Sequence, residues 1–183
     1  FDKMNDTNDD GSNKYEKWYY GPQTRFLQTM KYTSANKNLF HDKITAMLSF
    51  QNRQESRHVQ KTNESLLNNR YEAVKIYDFI FDFDKQIQKT TLAYGTGVRA
   101  QNVTSLADLS NDNSYFYNTT RYPDNGSSIK TVFAYTQVNF PINTQLDLLL
   151  GGRWNNSRLL AKYNNPSFNF SSIRNNNTSF VNT

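Results

Sequence analysis

The sequence predicts an all-β fold, built as an antiparallel up-and-down transmembrane β-barrel segment with six to eight strands of a larger barrel. Three observations support this prediction. Six segments alternate apolar and polar residues with a period of two, whereas helical periodicity is hard to find. The segments run for ten to fourteen residues, which is long for a globular sheet and enough to cross a bilayer at a tilt. The connections alternate between short and long, as the two rims of an up-and-down barrel do.

The most regular alternation lies in the third segment, which begins near residue 71 and ends near residue 84. Its odd positions from 77 to 83 are all aromatic, whereas its even positions carry three carboxylates and one isoleucine. In a membrane the rings would face lipid and the carboxylates a watery interior. We therefore expect lipid contact at Tyr77, Phe79, Phe81 and Phe83, and exposure to the lumen at Asp78 and Asp82.

The other five segments cover residues 24–35, 43–52, 88–101, 128–140 and 145–156. In two of them the apolar side chains predicted to face lipid are Leu92, Tyr94, Leu146, Leu148 and Leu150. The polar side chains predicted to face the lumen are Lys89, Arg99, Asp147 and Arg153. Rows of Lys, Arg, Thr and Gln require a wide, hydrated or plugged lumen, and hence more strands than six. Both faces of 128–140 are mixed, so its orientation stays open.

The connections are predicted from composition. Short links are expected at 36–42, 84–87 and 141–144, each joining two strands as a tight hairpin would. Long links are expected at 53–70, at 102–127 and from residue 157 onward. The short links would lie on the periplasmic side and the long ones on the extracellular side.

Composition limits the function classes. Hydrophobic residues make up 36% of the chain, yet it contains 12 Tyr and 13 Phe, more rings than a disordered chain carries. It has no cysteine, which leaves no disulfide or thiolate metal site. The net charge is +5, but the basic residues are scattered, so no nucleic-acid partner is expected. No apolar run suits a transmembrane helix, and the polar opening predicts either a mature chain or an internal fragment.

The order of these strands resembles that of a known family. The runs KWYYGPQTRFLQTMKY (17–32) and FHDKITAMLSFQNRQESRHVQK (40–61) resemble the early barrel strands of TonB-dependent outer-membrane receptors of Bacteroidetes-type bacteria. The resemblance continues through YEAVKIYDFIFDFDK and LAYGTGVRAQNV. It resumes in RYPDNGSSIKTVFAYTQVNFPINTQLDLLLGGRWNN, so it covers most of residues 15–156.

The resemblance implies a barrel of about 22 strands, closed by a plug domain, that imports a scarce nutrient across the bacterial outer membrane. Residues 1–183 would then be a partial barrel domain, without the plug and the remaining strands. The implied partners are the lipid bilayer, the rest of the receptor chain with its plug, TonB with ExbB and ExbD acting through that plug, and a surface lipoprotein. The first ligand expected is an iron chelate or haem, followed by an oligosaccharide or a peptide.

The candidate ligand-binding residues lie near the predicted outer loops. Arg57 and His58 follow Glu55 at the point where the second segment enters its loop, and His58 is either an iron or haem ligand or part of a rim that shapes the loop. Arg121, Tyr122 and Trp154 either contact ligand or serve as loop packing and membrane-interface rings. The same two interpretations apply to the aromatic cluster Tyr15, Trp18, Tyr19 and Tyr20, where the interface is favoured.

No enzyme activity, cofactor or metal site is predicted. The carboxylates of the third segment are about 7 Å apart along one strand face, which suits neither a retaining glycosidase pair nor a single metal. Gly95 and Gly97 lack the context of a phosphate loop and mark a bend or a close approach, for instance to plug backbone. Two other classes stay open, namely a soluble or secreted β-sandwich that binds a ligand and a small standalone outer-membrane barrel.

Overall fold

In a computed structural model, the described residues 6–8, 11–164 and 171–182 form nine antiparallel β-strands and no helix. Accordingly, this part of the chain contains no helix that is long and apolar enough to cross a bilayer. The strands are β1 (Tyr15–Tyr20), β2 (Thr24–Ser34), β3 (Lys43–Lys61), β4 (Leu67–Ile87), β5 (Thr90–Asn111), β6 (Ser114–Tyr117), β7 (Ser127–Pro141), β8 (Asp147–Lys162) and β9 (Ser172–Asn182).

All strands belong to one open sheet. Their order is β1-β3-β4-β5-β7-β8-β9, with β2 also paired to β3 and β6 to β5. The strands β1 and β2 lie one after the other along the same edge of β3, separated by residues 21–23. Each long strand pairs with the next long strand of the sequence, so the connectivity is up-and-down. Within the described residues the sheet does not close on itself.

The prediction of an all-β antiparallel fold is confirmed, but the strands are longer than predicted. β3, β4 and β5 have 19, 21 and 22 residues. The long links expected at 53–70, at 102–127 and from residue 157 onward are therefore wrong. Strand structure continues to Lys61, Asn111 and Lys162, and β9 covers Ser172–Asn182. The extensions carry polar residues on both faces, so they lack the contrast that marks a strand in sequence. β1, β6 and β9 were not predicted.

One predicted side-chain position at the other end of the sheet is also corrected. The short link expected at 84–87 lies later, because β4 continues to Ile87 and leaves Gln88 and Lys89 as a two-residue turn. Gln88 adopts a left-handed φ of 55° there. Lys89 is thus an exposed turn residue and not a member of a lumen row. Leu146 precedes β8, and its carbonyl accepts hydrogen bonds from the backbone of Ile142 and Asn143.

Register gives the sheet two distinct faces. Directly paired residues share a face, so the chain of pairs Met30, Leu48, Phe79, Val98 and Val132 lies on one side. We call this side the apolar face and the other the polar face. The pairing also settles the orientation of β7, which the sequence left open. Its even residues lie on the apolar face and its odd residues, including Phe133 and Tyr135, on the polar face.

The apolar face carries a continuous band of uncharged side chains. This apolar band consists of the alternate residues of six strands, and none of them is charged. Its members are the even residues 26–32 of β2, 44–50 of β3, 92–100 of β5, 132–140 of β7 and 148–154 of β8, together with Tyr77, Phe79, Phe81 and Phe83 of β4.

The apolar band runs obliquely across the strands. On β2 the middle of the band is Thr29, which is in register with Asp78 of β4. On β8 the middle is Gly151, which is in register with Asp84 of β4. The band therefore shifts by about six residues, roughly 20 Å, while it crosses five strand spacings, roughly 24 Å. The strands consequently tilt by about 40° from the normal to the band, within the 35–45° typical of membrane barrels.

Lysines mark the height of the band on β4. Lys75 and Lys85 are the apolar-face residues that flank the four rings of this strand. They are ten residues apart, which is roughly 33 Å along the strand and roughly 25 Å along the normal at the tilt given above. An outer-membrane barrel presents an apolar band about 25 Å tall.

Very little of this sheet is buried. The described residues contain only four buried hydrophobic side chains, Val103, Ala107, Phe133 and Ala161, and none of their large side chains is fully buried. By contrast, Tyr77 is 46% exposed and Leu150 is 56% exposed. The described part of the chain forms one sheet, with no second layer against the apolar band.

Near the turn at 88–89, Asp42 of the β2–β3 connection is bound to the end of β4. We call this group of contacts the ionic clamp. The Lys85 Nζ atom lies 2.8 Å from Asp42 Oδ1 and also donates to the Asn38 carbonyl. The backbone N–H of Gln86 donates to the other oxygen of Asp42. These hydrogen bonds, that from Lys85 above all, lower the pKa of the Asp42 carboxyl below its ordinary value. The clamp joins the β2–β3 connection to β4.

Two glycines of β5 make room for aromatic rings of β7. A Cβ atom at Gly95 would lie 2.6 Å from the Phe81 carbonyl oxygen and 2.6 Å from the Tyr135 ring. At Gly97 it would lie 2.5 Å from the ring of Phe133. The Tyr135 hydroxyl reaches across Gly95 and donates to Asp82 Oδ1 at 2.6 Å. The close approach predicted for these glycines is therefore made by rings of the neighbouring strand.

We predict that Gly95→Ala destabilises the protein by about 1–3 kcal/mol, because the added Cβ clashes with the Phe81 carbonyl oxygen and displaces the Tyr135 ring, which breaks its bond to Asp82. The matched control is Gly152→Ala, where the Cβ would meet only the edge of the Phe180 ring at 3.4 Å. Its expected effect is within about 0.5 kcal/mol. Urea unfolding followed by tryptophan fluorescence compares the two. Equal effects at both positions would contradict the proposed role of the ring.

Candidate functional site

A small recess lies on the polar face beyond the apolar band, at the end of the sheet far from the 88–89 turn. Its volume is about 80 Å³, enough for two or three waters or for one small charged group. We call it the rim recess, and it is lined by Tyr20, Glu55, Ser56, Arg57, Arg70, Glu72 and Arg121.

Like charges face each other in the rim recess. Arg57 of β3 is directly paired with Arg70 of β4, and Glu55 is directly paired with Glu72 in the next row of the same face. Direct pairs of like charge destabilise a sheet, whereas opposite charges stabilise it. The two rows therefore carry an electrostatic cost that a different order of the same residues would avoid.

Both carboxylates of the recess are engaged by other arginines. The Arg53 Nη2 atom lies 2.7 Å from Glu55 Oε2, and Arg121 Nη1 lies 3.6 Å from Glu72 Oε2. Among the described residues, no carboxylate lies within ion-pair distance of Arg57 or Arg70. These two guanidinium groups are half-buried and face the same small space. The recess thus offers an uncompensated positive charge.

The connection from β6 to β7 completes the recess. Residues 118–126 follow β6, which pairs with the far end of β5, and Arg121 reaches from this connection to Glu72 on β4. Ser105 of β5 is the direct partner of Glu72 and is only 3% exposed. The connection therefore passes over the polar face and holds Arg121 above the strand pair.

The structure brings together two of the five predicted ligand contacts. Arg57 and Arg121 both line the rim recess. Tyr20, from the aromatic cluster of β1, also lines it. Arg70 was missed because residues 53–70 were interpreted as a loop, and Glu72, in the predicted third segment, was not identified as a candidate. The signal was available in sequence, since the charges at 53, 55 and 57 continue the period-two alternation of β3.

His58 has a structural role in place of the predicted ligand contact. It lies on the apolar face of β3, beyond the band, and is only 8% exposed. Its Nδ1 is 2.6 Å from Asn69 Oδ1 and its Nε2 is 3.2 Å from Ser56 Oγ. The ring of Tyr19 stacks on the imidazole at 4.6 Å. Because both ring nitrogens have partners, this geometry does not favour coordination of iron or haem.

Asn69 extends this contact into a buried polar network. Its Nδ2 donates to Asp108 Oδ2 at 2.7 Å and to Ser110 Oγ at 2.8 Å. The Ser110 hydroxyl donates to the same Asp108 oxygen. Asn69 and Asp108 are 6% and 7% exposed. Hydrogen bonds therefore satisfy the buried polar groups that join β3, β4 and β5 beyond the band.

The remaining predicted contacts lie away from the recess. Trp154 is on the apolar face, at the end of the apolar band on β8, and is directly paired with Ala134 and Phe180. Tyr122 is 41% exposed and lines a separate depression with Asp124 and Tyr163. The aromatic cluster of β1 divides between the faces, since Trp18 and Tyr20 lie on the polar face and Tyr19 on the apolar face. The favoured interpretation of this cluster as an interface ring therefore does not fit Trp18 and Tyr20.

On the polar face, at the same height as the apolar band, residues of opposite charge form pairs. Arg99 Nε lies 2.6 Å from Asp78 Oδ1, as expected for directly paired residues of β4 and β5. Asp82 is held by the Tyr135 hydroxyl, and the guanidinium of Arg153 lies over the Phe133 ring at 4.0 Å. Asp147, at the start of β8, also lies on this face. The described residues contain no group of three His, Asp or Glu side chains that could hold a metal ion.

We predict that Asn69→Ala destabilises the protein by about 1–3 kcal/mol, because it leaves the buried His58 Nδ1 without its partner and removes one of the two hydrogen bonds to Asp108 Oδ2. The control is Asn176→Ala, at an exposed position of β9. Its effect is expected within about 0.5 kcal/mol. Urea unfolding of both variants measures the difference, and an equal loss at the two positions would refute the structural role of the network.

No protein-family model matches this chain, and no curated protein shows significant similarity to it.

Proposed function

We propose that this chain is part of the wall of a transmembrane β-barrel in a bacterial outer membrane, within a receptor of the TonB-dependent class. The parent receptor binds a scarce nutrient at its outer rim and imports it when TonB acts on the plug. The wall segment itself is not an enzyme and needs no cofactor.

The observation that carries this proposal is the oblique apolar band. A row of exposed rings on one strand is compatible with many folds, but six strands share one uncharged band at a common tilt of about 40°. On β4, the lysines that flank the band are about 25 Å apart along its normal. Both values match those of outer-membrane barrels. A soluble protein rarely exposes an apolar patch of this size without a partner to cover it.

The opposite face supports a wide interior. Asp78, Asp82, Arg99 and Arg153 occupy neighbouring strands of the polar face at the level of the band. A small barrel fills its interior with side chains, whereas a large one leaves a polar, hydrated or plugged lumen. The polar face therefore favours a large barrel over the small standalone one. The unpaired edges at β2 and β9 are the places where further strands would add.

The alternative of a soluble β-sandwich needs a second sheet over the rings. In the described residues the aromatic strip of β4 has no such cover, and Phe79 is 39% exposed. A sandwich also has no reason to keep charges off one face along an oblique line. The membrane wall therefore accounts for more of the sheet.

The far ends of the strands would stand outside the membrane. The apolar band lies close to the 88–89 turn, whereas β3, β4 and β5 continue well beyond it to the rim recess. We assign the turn end to the periplasm and the far end to the cell surface. The recess then opens toward the lumen at the outer mouth, where a receptor meets its nutrient.

The first test uses the absence of cysteine from the chain. Nitroxide labels are placed at Leu48→Cys and Val132→Cys in the apolar band, and at their neighbours Ser49→Cys and Thr131→Cys on the polar face. In vesicles, with the native flanking sequence present, we expect the first pair to collide with oxygen dissolved in lipid and the second with a water-soluble nickel complex. Labels in the band that neither reagent reaches would indicate a covering layer and refute the proposal.

A second test compares the same new charge on adjacent residues of β3. Ala46→Lys places an ammonium group at the middle of the apolar band, where it is expected to cost about 2–4 kcal/mol in a bilayer. Thr45→Lys faces its direct partner Asp82 on the polar face and is expected to cost little. The yield of folded receptor in outer membranes measures both effects, and similar yields would contradict the assignment of the faces.

A further inference from the structure

We infer that Arg57 and Arg70 form an anion-binding site in the rim recess, which selects a nutrient that carries a carboxylate or phosphate group. This inference rests on the proposed function, because it names the class of ligand bound at the outer mouth. Its three supports are the pairing of the charges, the distribution of the carboxylates and the shape of the arginine side chain.

The pairing gives the first support. Arg57 and Arg70 are directly opposite on adjacent strands, so their guanidinium groups share one small volume. Direct like-charge pairs weaken a sheet, and here the two groups are half-buried, where solvent screens them less. An anion placed between them would remove this repulsion. The repulsion between the two arginines destabilises the protein without ligand, and relief of this repulsion would add to the binding free energy of the anion.

The distribution of carboxylates gives the second support. Glu55 and Glu72 line the same recess, yet Glu55 is held by Arg53 and Glu72 by Arg121, and neither forms an ion pair with Arg57 or Arg70. Arg53 and Arg121 thus draw the internal anions away from Arg57 and Arg70. The recess keeps its positive charge for a group from outside.

The side-chain chemistry gives the third support. Each guanidinium presents a planar fork of donors that matches the two oxygens of a carboxylate or phosphate. The recess volume of about 80 Å³ fits one such group and not a whole sugar chain. Tyr20 lies at the same level, directly paired with Arg57, and offers a ring beside the bound group. The rest of the solute would extend into the lumen.

The position of Arg57 and Arg70 distinguishes a free solute from membrane lipid as the source of the carboxylate or phosphate group. Phosphates of the outer leaflet lie outside the barrel, on the side of the apolar face, whereas Arg57 and Arg70 are on the polar face. A free solute inside the mouth is therefore the ligand that we assign. Lipopolysaccharide is the competing source and forms a separate arm of the test.

The experiment measures binding by isothermal titration to the full receptor, purified in detergent. The probes are citrate, pyrophosphate, a neutral maltooligosaccharide and purified lipopolysaccharide. We expect citrate or pyrophosphate to bind and the oligosaccharide not to bind at this site. Added salt should weaken the binding of the anions.

The variants are Arg57→Gln, Arg70→Gln, Arg70→Lys and the double Gln variant. Each single Gln change is expected to weaken anion binding about tenfold or more, and the double change to abolish it. Arg70→Lys should retain part of the affinity, because it keeps the charge but loses the planar fork. The control is Arg174→Gln, at an exposed position on the outer side of β9, with no expected effect.

Stability distinguishes a binding role from a structural one. If the pair binds an anion, the Gln variants should unfold at equal or higher urea concentration than the parent, because they remove a repulsion. A loss of stability with unchanged anion binding would overturn the inference. So would failure of the parent to bind either anion at millimolar concentration, or binding of lipopolysaccharide alone. The nitroxide pattern is measured on the same receptor, so failure of the barrel proposal would appear there and not in the titration.

Discussion

The structure depends on the backbone ladder between neighbouring strands, because this sheet has almost no hydrophobic core to hold it. In a layered protein, core packing selects the register, but here only four hydrophobic side chains are buried among the described residues. A slip of one residue would exchange the two faces of a strand completely. Pairs such as Arg99 with Asp78, and the rings of Tyr135 and Phe133 over Gly95 and Gly97, supply the specific contacts that keep the register.

The register brings the apolar residues of separate strands together into one continuous surface. Each strand alone presents three to five apolar side chains on one side, which is common in soluble proteins. Only the pairing of six strands brings them into one uncharged oblique band. The hydrophobic effect strongly disfavours such a band in water and favours it in a bilayer. In the proposed membrane setting, lipid would cover the apolar band as a second sheet covers it in a β-sandwich.

Sequence reasoning identified the outward face of a strand where its two faces differ, and it missed the strand extensions in which both faces are polar. The alternation of rings and carboxylates from Tyr77 to Asp84 identifies the faces of β4 directly, because the period of a strand is two. The same reasoning stopped β3 at residue 52, since Arg53, Glu55 and Arg57 alternate with polar neighbours. Arg70 could not be associated with Arg57 without the register. The placement of Lys89 failed because it depended on the left-handed turn at Gln88.

The rim recess and the apolar band have a common structural determinant. Both lie on β3 and β4, and one register places Leu48 and Phe79 together on the apolar face and Arg57 and Arg70 together on the polar face. A site on rigid strands holds its groups more closely than a site on loops. A one-residue slip of β3 would replace Arg57 on the polar face by Ser56 or His58, and would also turn the charges of β3 toward the apolar face. Selection for insertion into the membrane would thus preserve the geometry of the recess.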